Sequence, residues 1–285
     1  MQLENREPDE TVNYTIEHPL KEFAWLVGGV FGLIIVVTLV LGWFAGHVAA
    51  WLPFRHEASL ADGFTRELRA PNVSPQHSAI ERELNDIARR LGAVMELPAD
   101  MSITVHYADD KTVNAFATLG GHIIMHRGLL ERVPDENTLA MVMAHEIAHI
   151  KLRHPARAMG RGVAVGIMLT TVSANMGRSA ASGTVTAGSI TLLSFSREQE
   201  LAADREAQAA LQKLYGHVGG APDLFRVLTE ASGGGKLHVA ALTTHPLTPD
   251  RVEALGDQMR ERAWLADGPR APLSKTLASL GSPRP

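Results

Sequence analysis

The apolar positions of this chain form one long uncharged block, followed by shorter periodic segments. Residues 23–54, FAWLVGGVFGLIIVVTLVLGWFAGHVAAWLPF, contain no Asp, Glu, Lys or Arg, and His47 is their one ionisable group. Roughly 20 consecutive apolar residues suffice to cross a bilayer as a helix, so the block predicts a single transmembrane anchor. Trp25 near one end, and Trp43 and Trp51 near the other, suit the two membrane interfaces. A cleaved signal peptide fits worse, because the run is too long and the segment before it is acidic. Residues 1–22 read as a loose polar tail, 55–77 as a linker closing in APNVSPQHS, and 266–285 as a disordered tail. One folded domain is expected over 78–265.

Within that domain, Ile80, Leu84, Ile87 and Leu91 recur at helical spacing over 78–93, with Gly92 closing the run. ITVHYA (103–108) alternates and is β-branched, predicting a strand. VNAFATLGGHIIMHRGLL (113–130) predicts two strands around Gly120-Gly121. A helix is expected to start after Asp135 as N-cap, with Glu136 in its first turn to suit the dipole. Another is expected over 196–215. Between them, GVAVGIMLTTVSA and TVTAGSITLLSF are each shorter than a membrane span and are separated by NMGRSAASG. They predict a helical hairpin that packs over the domain or leans on the membrane surface. The pattern is that of an α+β fold, mostly helical with a small β-sheet.

Composition narrows the chemistry. Of 285 residues, 45% are hydrophobic and 20% charged, enough apolar material for a real core. A net charge of -4 carries no nucleic-acid signature. There is no cysteine, so disulfide scaffolds, thiolate metal sites and cysteine nucleophiles are excluded. Any metal must be held by His, Asp or Glu.

The stretch MVMAHEIAHIKLRHP (141–155) offers such a site. Residues four apart on a helix are offset by roughly 40° and one turn, so His145 and His149 can direct both imidazoles at one ion. Glu146 is about 100° from His145, where a general base stands to deprotonate a metal-activated water. Ile147 falls opposite the histidines and anchors the helix in the core. The same spacing also occurs on ordinary solvated helices, so a third ligand decides. His154 misses the position that a third histidine of the metzincin spacing would take; Leu152 and Pro155 stand where that pattern needs Gly and His. SREQELAADRE offers Glu200 as a ligand instead, with Asp204 one turn on to accept a ligand's free ring N–H.

HEIAH, SREQELAAD and THPLTPDR, together with NAFATLGGHIIMHRGLL, occur here in one order over roughly residues 78–260. In these motifs the chain resembles the membrane-associated gluzincin zinc metallopeptidases of the CAAX prenyl protease, HtpX, BepA and Oma type. With one clear anchor rather than several, it looks closer to the BepA and Oma branch. The resemblance implies a zincin-like peptidase domain over 78–265 holding one Zn2+. By it His145, His149 and Glu200 are ligands, Glu146 is the catalytic base and Asp204 the supporting carboxylate.

For the oxyanion the candidates are His245 and Arg251, and more weakly Tyr215. His245 reads alternatively as a removable fourth ligand, and Arg251 as a structural ion pair. Asn114, Ala115 and Phe116 would supply an edge strand on which extended substrate pairs by backbone. The expected activity is endopeptidase cleavage of unfolded or membrane-associated polypeptides. A non-cleaving chaperone-like protein on the same fold is the rival from another class. Arg6 and Lys21 before the anchor almost balance Arg55, Arg66 and Arg69 after it. That slight excess favours a cytoplasmic domain, whereas the resemblance implies a bacterial-type inner membrane with the domain on the periplasmic face.

Overall fold

The computed structural model describes residues 19–68, 74–175, 195–233, 244–246 and 248–281. The anchor is one helix, α1 (Pro19–Ala50), starting slightly before the apolar block. From Leu20 to Ala50 it is long and apolar enough to span a bilayer, and most of its side chains are exposed apart from a stripe that includes Gly42 and Gly46.

The stretch expected to be a linker is largely a helix, α2 (Phe54–Leu68). It folds because one of its faces finds partners: Phe54 and Ala61 are buried, and buried Glu57 accepts the Gly120 N–H at 3.1 Å. Burial raises the pKa of Glu57, but Arg153 lies 2.8 Å away and offsets the cost of its charge. α2 therefore ties the anchor to the β2–β3 turn. These partners lie 63 and more residues away in sequence, beyond the reach of local pattern.

α3 (Pro75–Val94) buries the predicted stripe Ile80, Leu84, Ile87 and Leu91, and runs two residues past Gly92. Ser74 caps it by accepting from His77 N. The sheet has three strands in the order β1-β3-β2. β1 (Thr104–Ala108) is parallel to β3 (His122–His126), with Val105 opposite Ile123. β2 (Ala115–Ala117) is antiparallel to β3, with Phe116 opposite Ile124. The two glycines turn the β2–β3 hairpin as predicted, Gly120 at φ 73° and Gly121 at φ 80°, which residues with a Cβ rarely adopt. α4 (Arg127–Leu130) is a single turn.

α5 (Glu136–Lys151) is the spine of the domain. Asp135 caps it, accepting from Thr138 N at 2.8 Å, and every residue from Asn137 to Ile150 is buried. α6 (His154–Asn175) leaves through a left-handed Arg153 (φ 62°) and packs along α1. α6 covers the stretch expected to form the first limb of a hairpin; the second, TVTAGSITLLSF, lies outside the described residues except for Phe195, as does the expected N-terminal tail to residue 18. α7 (Arg197–Tyr215) opens on a capping box, Ser196 with Gln199, and closes on left-handed Gly216. Its Ala203, Ala207 and Ala210 let it lie close against α5. α8 (Ala221–Gly233) and α9 (Pro249–Glu261) cover α5 and α7 respectively.

The C-terminal stretch expected to be disordered is instead packed as far as residue 281. It carries a short helix, α10 (Lys275–Ala278), and buries Leu277 and Leu280 in the main core. The Ala271 carbonyl accepts the Glu136 N–H at 2.9 Å, and Ala271 N donates to Asn137 Oδ1 at 2.8 Å. Arg270 joins Asp223 and Asp135 at 2.8 and 3.3 Å. A composition rich in Gly, Pro and Ser signals poor packing, but here the backbone itself completes the N-terminus of α5, where the first N–H groups need acceptors.

Candidate metal centre and active site

α5 directs both histidines to one point. The two Nε2 atoms lie 3.0 Å apart and both rings are buried. α7 brings in Glu200, whose carboxylate is 3.4 Å from His145 Nε2 and 3.5 Å from His149 Nε2. His245, between α8 and α9, adds a fourth donor: its Nδ1 is 2.9 Å from Glu200 Oε1 and 3.3 Å from His145 Nε2. The four residues form a buried group able to hold a metal ion. Zinc binds N and O ligands tetrahedrally at about 2.0–2.2 Å, which spaces neighbouring donors by roughly 3.3–3.5 Å. The observed spacings of 2.9–3.5 Å fit that ion.

Both helix-borne rings have a partner behind them. His145 Nδ1 lies 3.0 Å from Asp204 Oδ1. Burial opposes charge on His145, yet Asp204 and Glu200 hold its pKa up at about 10. Burial works against the Asp204 and Glu200 carboxylates as well, but hydrogen bonds from Arg251 and His145 keep Asp204 low, and those from His145 and His245 keep Glu200 well below the carboxylate range.

Behind His149 stands His154, Nδ1 to Nδ1 at 2.9 Å. Its spacing sets His154 aside only as a third metzincin ligand. It is buried, because left-handed Arg153 folds the start of α6 back against α5. Burial, with Arg157 nearby, lowers its pKa to about 4, leaving a neutral ring able to accept the His149 Nδ1 proton. Phe195 stacks on His149 at 4.1 Å between centroids. A histidine five residues past a ligand histidine was the signal available for the first of these partners. None marked Phe195.

Glu146 sits beside this cluster. Its Oε2 accepts the Ala117 N–H at 2.8 Å, its Oε1 is 3.6 Å from His245 Nε2, and burial raises its pKa. β2 is an edge strand of the sheet, and its Ala117 N–H reaches Glu146. Asn114, Ala115 and Phe116 are all buried, so this edge is covered rather than open to solvent. A cavity of about 30 Å³ lies between Glu146, His245 and the apolar side chains of Leu129, Val142, Leu224 and Leu228, space for little more than a water.

Arg251 is committed elsewhere than to an oxyanion. Its Nε and Nη2 donate to the two Asp204 oxygens, each at 2.7 Å. Its Nη1 lies 3.0 Å from both Glu200 Oε2 and the Pro246 carbonyl. That is the ion-pair alternative, and it also pins the His245 loop. Tyr215 is absent from the centre: its hydroxyl donates to Glu136 Oε1 at 2.9 Å, at the opposite end of α5.

The chain is 29% identical over 215 residues to the beta-barrel assembly-enhancing protease of Yersinia pestis, covering 71% of this chain and 44% of that protein. It is 27% identical over 189 residues to the mitochondrial metalloendopeptidase OMA1 of Schizosaccharomyces pombe, covering 66% and 55%. It is 27% identical over 212 residues to the metalloprotease LoiP of Escherichia coli, covering 70% and 79%. The chain thus spans less than half the length of the assembly-enhancing protease it matches. The pattern of peptidase family M48 matches residues 77–259, from the start of α3 through most of α9. Because that match takes in all four donors, Glu146 and Asp204, and covers well over half of the sequence, the chain belongs to peptidase family M48.

Proposed function

We propose that the chain is a membrane-anchored, zinc-dependent endopeptidase acting on unfolded or membrane-associated polypeptides, with Glu146 as general base. The observation carrying this is the convergence of four buried donors with the Glu146 carboxylate directly beside them. Zinc held there lowers the pKa of water toward neutrality and draws charge from a carbonyl oxygen. His145 and His149 would hold it through Nε2 and Glu200 through its carboxylate. Asp204 and His154 accept the Nδ1 protons and so fix each ring in the ligating tautomer. Glu146 takes a proton from the attacking water and returns it to the departing amine nitrogen as the peptide bond breaks. Asn114, Ala115 and Phe116 lie at the edge strand β2 and are covered in this structure; once uncovered, that edge would pair with an extended substrate by backbone, favouring broad specificity.

His245 serves this centre as an exchangeable fourth ligand, a role supported by its 2.9 Å contact with Glu200. Catalytic zinc keeps one position open, so the loop carrying His245 must withdraw before substrate enters. Arg251 positions that loop and Asp204 rather than touching substrate. We assign the domain to the periplasmic face of a bacterial-type inner membrane. An alkaline phosphatase fused to the C-terminus is active if this holds and inactive if the domain is cytoplasmic.

Casein digestion by wild type and Glu146→Gln, with bound zinc measured on both, tests the activity. Wild type is expected to cut. Glu146→Gln is expected to keep its zinc and lose about 10²–10⁴-fold in rate. A wild type that binds zinc but cuts nothing would support the non-cleaving, chaperone-like reading instead.

A further inference from the structure

α1 and α6 make the most extensive helix–helix contact among the described elements, and small residues line it. On α1 the covered positions Ile34, Thr38, Gly42 and Gly46 come one per turn, with Ala45 and Ala49 beside them. A Cβ on Gly160 would lie 2.8 Å from the Ala49 Cβ, and one on Gly46 would lie 3.0 Å from the Arg157 carbonyl. α6 starts beside the last turns of α1, and the covered stripe runs back to Ile34, so α6 runs antiparallel along the span. Close approach of backbones through small residues is how helices associate within hydrocarbon, where burying larger apolar side chains against each other gains nothing over lipid.

The outward face of α6 is equally apolar. Val163, Val165 and Ile167 are 43%, 40% and 60% exposed, and no charged residue occurs from 162 to 177. Leu39, Val40 and Phe44 of α1 are exposed as well, and large exposed apolar surface on two packed helices marks a lipid or partner contact.

At the end of that surface, Arg157 and Arg161 stand one turn apart on α6. Arg161 packs its stem on Gly46, and Arg157 Nε is buried with no hydrogen-bond partner. Arg153, one turn earlier, is paired with Glu57 at 2.8 Å. Among the described residues neither Arg157 nor Arg161 has a carboxylate partner. Trp43 and Trp51 of the anchor flank Gly46 in sequence, and such residues sit at headgroup level, where arginine reaches phosphate with a planar fork of donors.

We propose that α6 enters the bilayer beside α1, and that Arg157 and Arg161 together bind the phosphate of an anionic phospholipid where α1 emerges. α6 begins at His154, whose ring touches His149, so the metal centre is held against the membrane surface. The placement is independent of whether the centre cleaves peptides.

Because the chain has no cysteine, single cysteines report the placement directly. The full chain carrying Ile167→Cys or Val252→Cys is reconstituted in vesicles of phosphatidylcholine and phosphatidylglycerol and treated with a water-soluble maleimide. Val252→Cys, on exposed α9, is expected to react freely; Ile167→Cys is expected to react on the order of tenfold slower, since the hydrocarbon core excludes the reagent. Equal rates overturn the embedding. Tryptophan quenching by brominated phosphatidylglycerol or phosphatidylcholine reads the lipid contact. Wild type is expected to enrich the anionic lipid about fivefold per arginine. Arg157→Gln/Arg161→Gln should fall to parity with zinc content unchanged, and Arg157→Lys/Arg161→Lys should recover part of the enrichment. No enrichment in wild type, enrichment unchanged in the glutamine pair, or enrichment abolished by inorganic phosphate each overturns the lipid assignment.

Discussion

The four candidate metal donors come from two kinds of structure. His145, His149 and Glu200 project from α5 and α7, helices packed together through Ala203 and Ala207 with the metal-bearing stretch wholly buried. The two ligand histidines have dedicated polar partners, Asp204 and His154. His245 comes from a short stretch between α8 and α9, and its polar contacts are to Glu200, His145 and Glu146, with Arg251 gripping the carbonyls beside it. A donor fixed by core packing keeps its place whatever occupies the centre. A donor fixed by the other donors can leave with little cost to the fold. On the function proposed above, holding the metal and opening the site are divided between helices and loop.

That division can be tested at several strengths. His149→Ala removes a helix-borne donor and should abolish both zinc retention and casein cleavage; metal analysis after dialysis reads the first. Treating wild type with a strong chelator should likewise stop cleavage, with recovery on adding zinc. His154→Ala leaves the donors intact but frees the His149 ring, and should weaken zinc binding by about 10–100-fold in a competition titration. Ala207→Leu adds volume where α7 meets α5 and should cost about 1–3 kcal/mol by thermal melting, together with a loss of zinc affinity as Glu200 is displaced. A stable Ala207→Leu protein with normal zinc binding would show that the close helix contact does not set the site.

Local chemistry made much of this visible in the sequence. Asp135, Ser196 and Gly216 are cap residues whose effects act within one turn, and α5 and α7 begin and end close to where those caps put them. The Gly120-Gly121 turn is equally local. The His145–His149–Glu146 constellation follows from helical spacing, and Glu200 with Asp204 from one further turn. What escaped depends on distant partners. α2 read as a linker because its buried Phe54 and Glu57 find Gly120 and Arg153 far along the chain. The stretch through Leu277 and Leu280 read as disordered because its order comes from the N-terminus of α5, some 135 residues earlier. His154 was undervalued because its burial hangs on the left-handed backbone at Arg153, a conformation arginine seldom takes.

The division between holding and opening is tested most directly by His245→Ala, assayed for zinc affinity and casein cleavage beside wild type and His149→Ala. His245→Ala is expected to keep its zinc with less than about a tenfold loss, below the usual effect of losing a ligand's supporting partner, and to cut casein at least as fast as wild type. A His245→Ala protein that loses its zinc as His149→Ala does, or keeps it and no longer cuts, would make His245 an obligatory part of the centre and contradict the account.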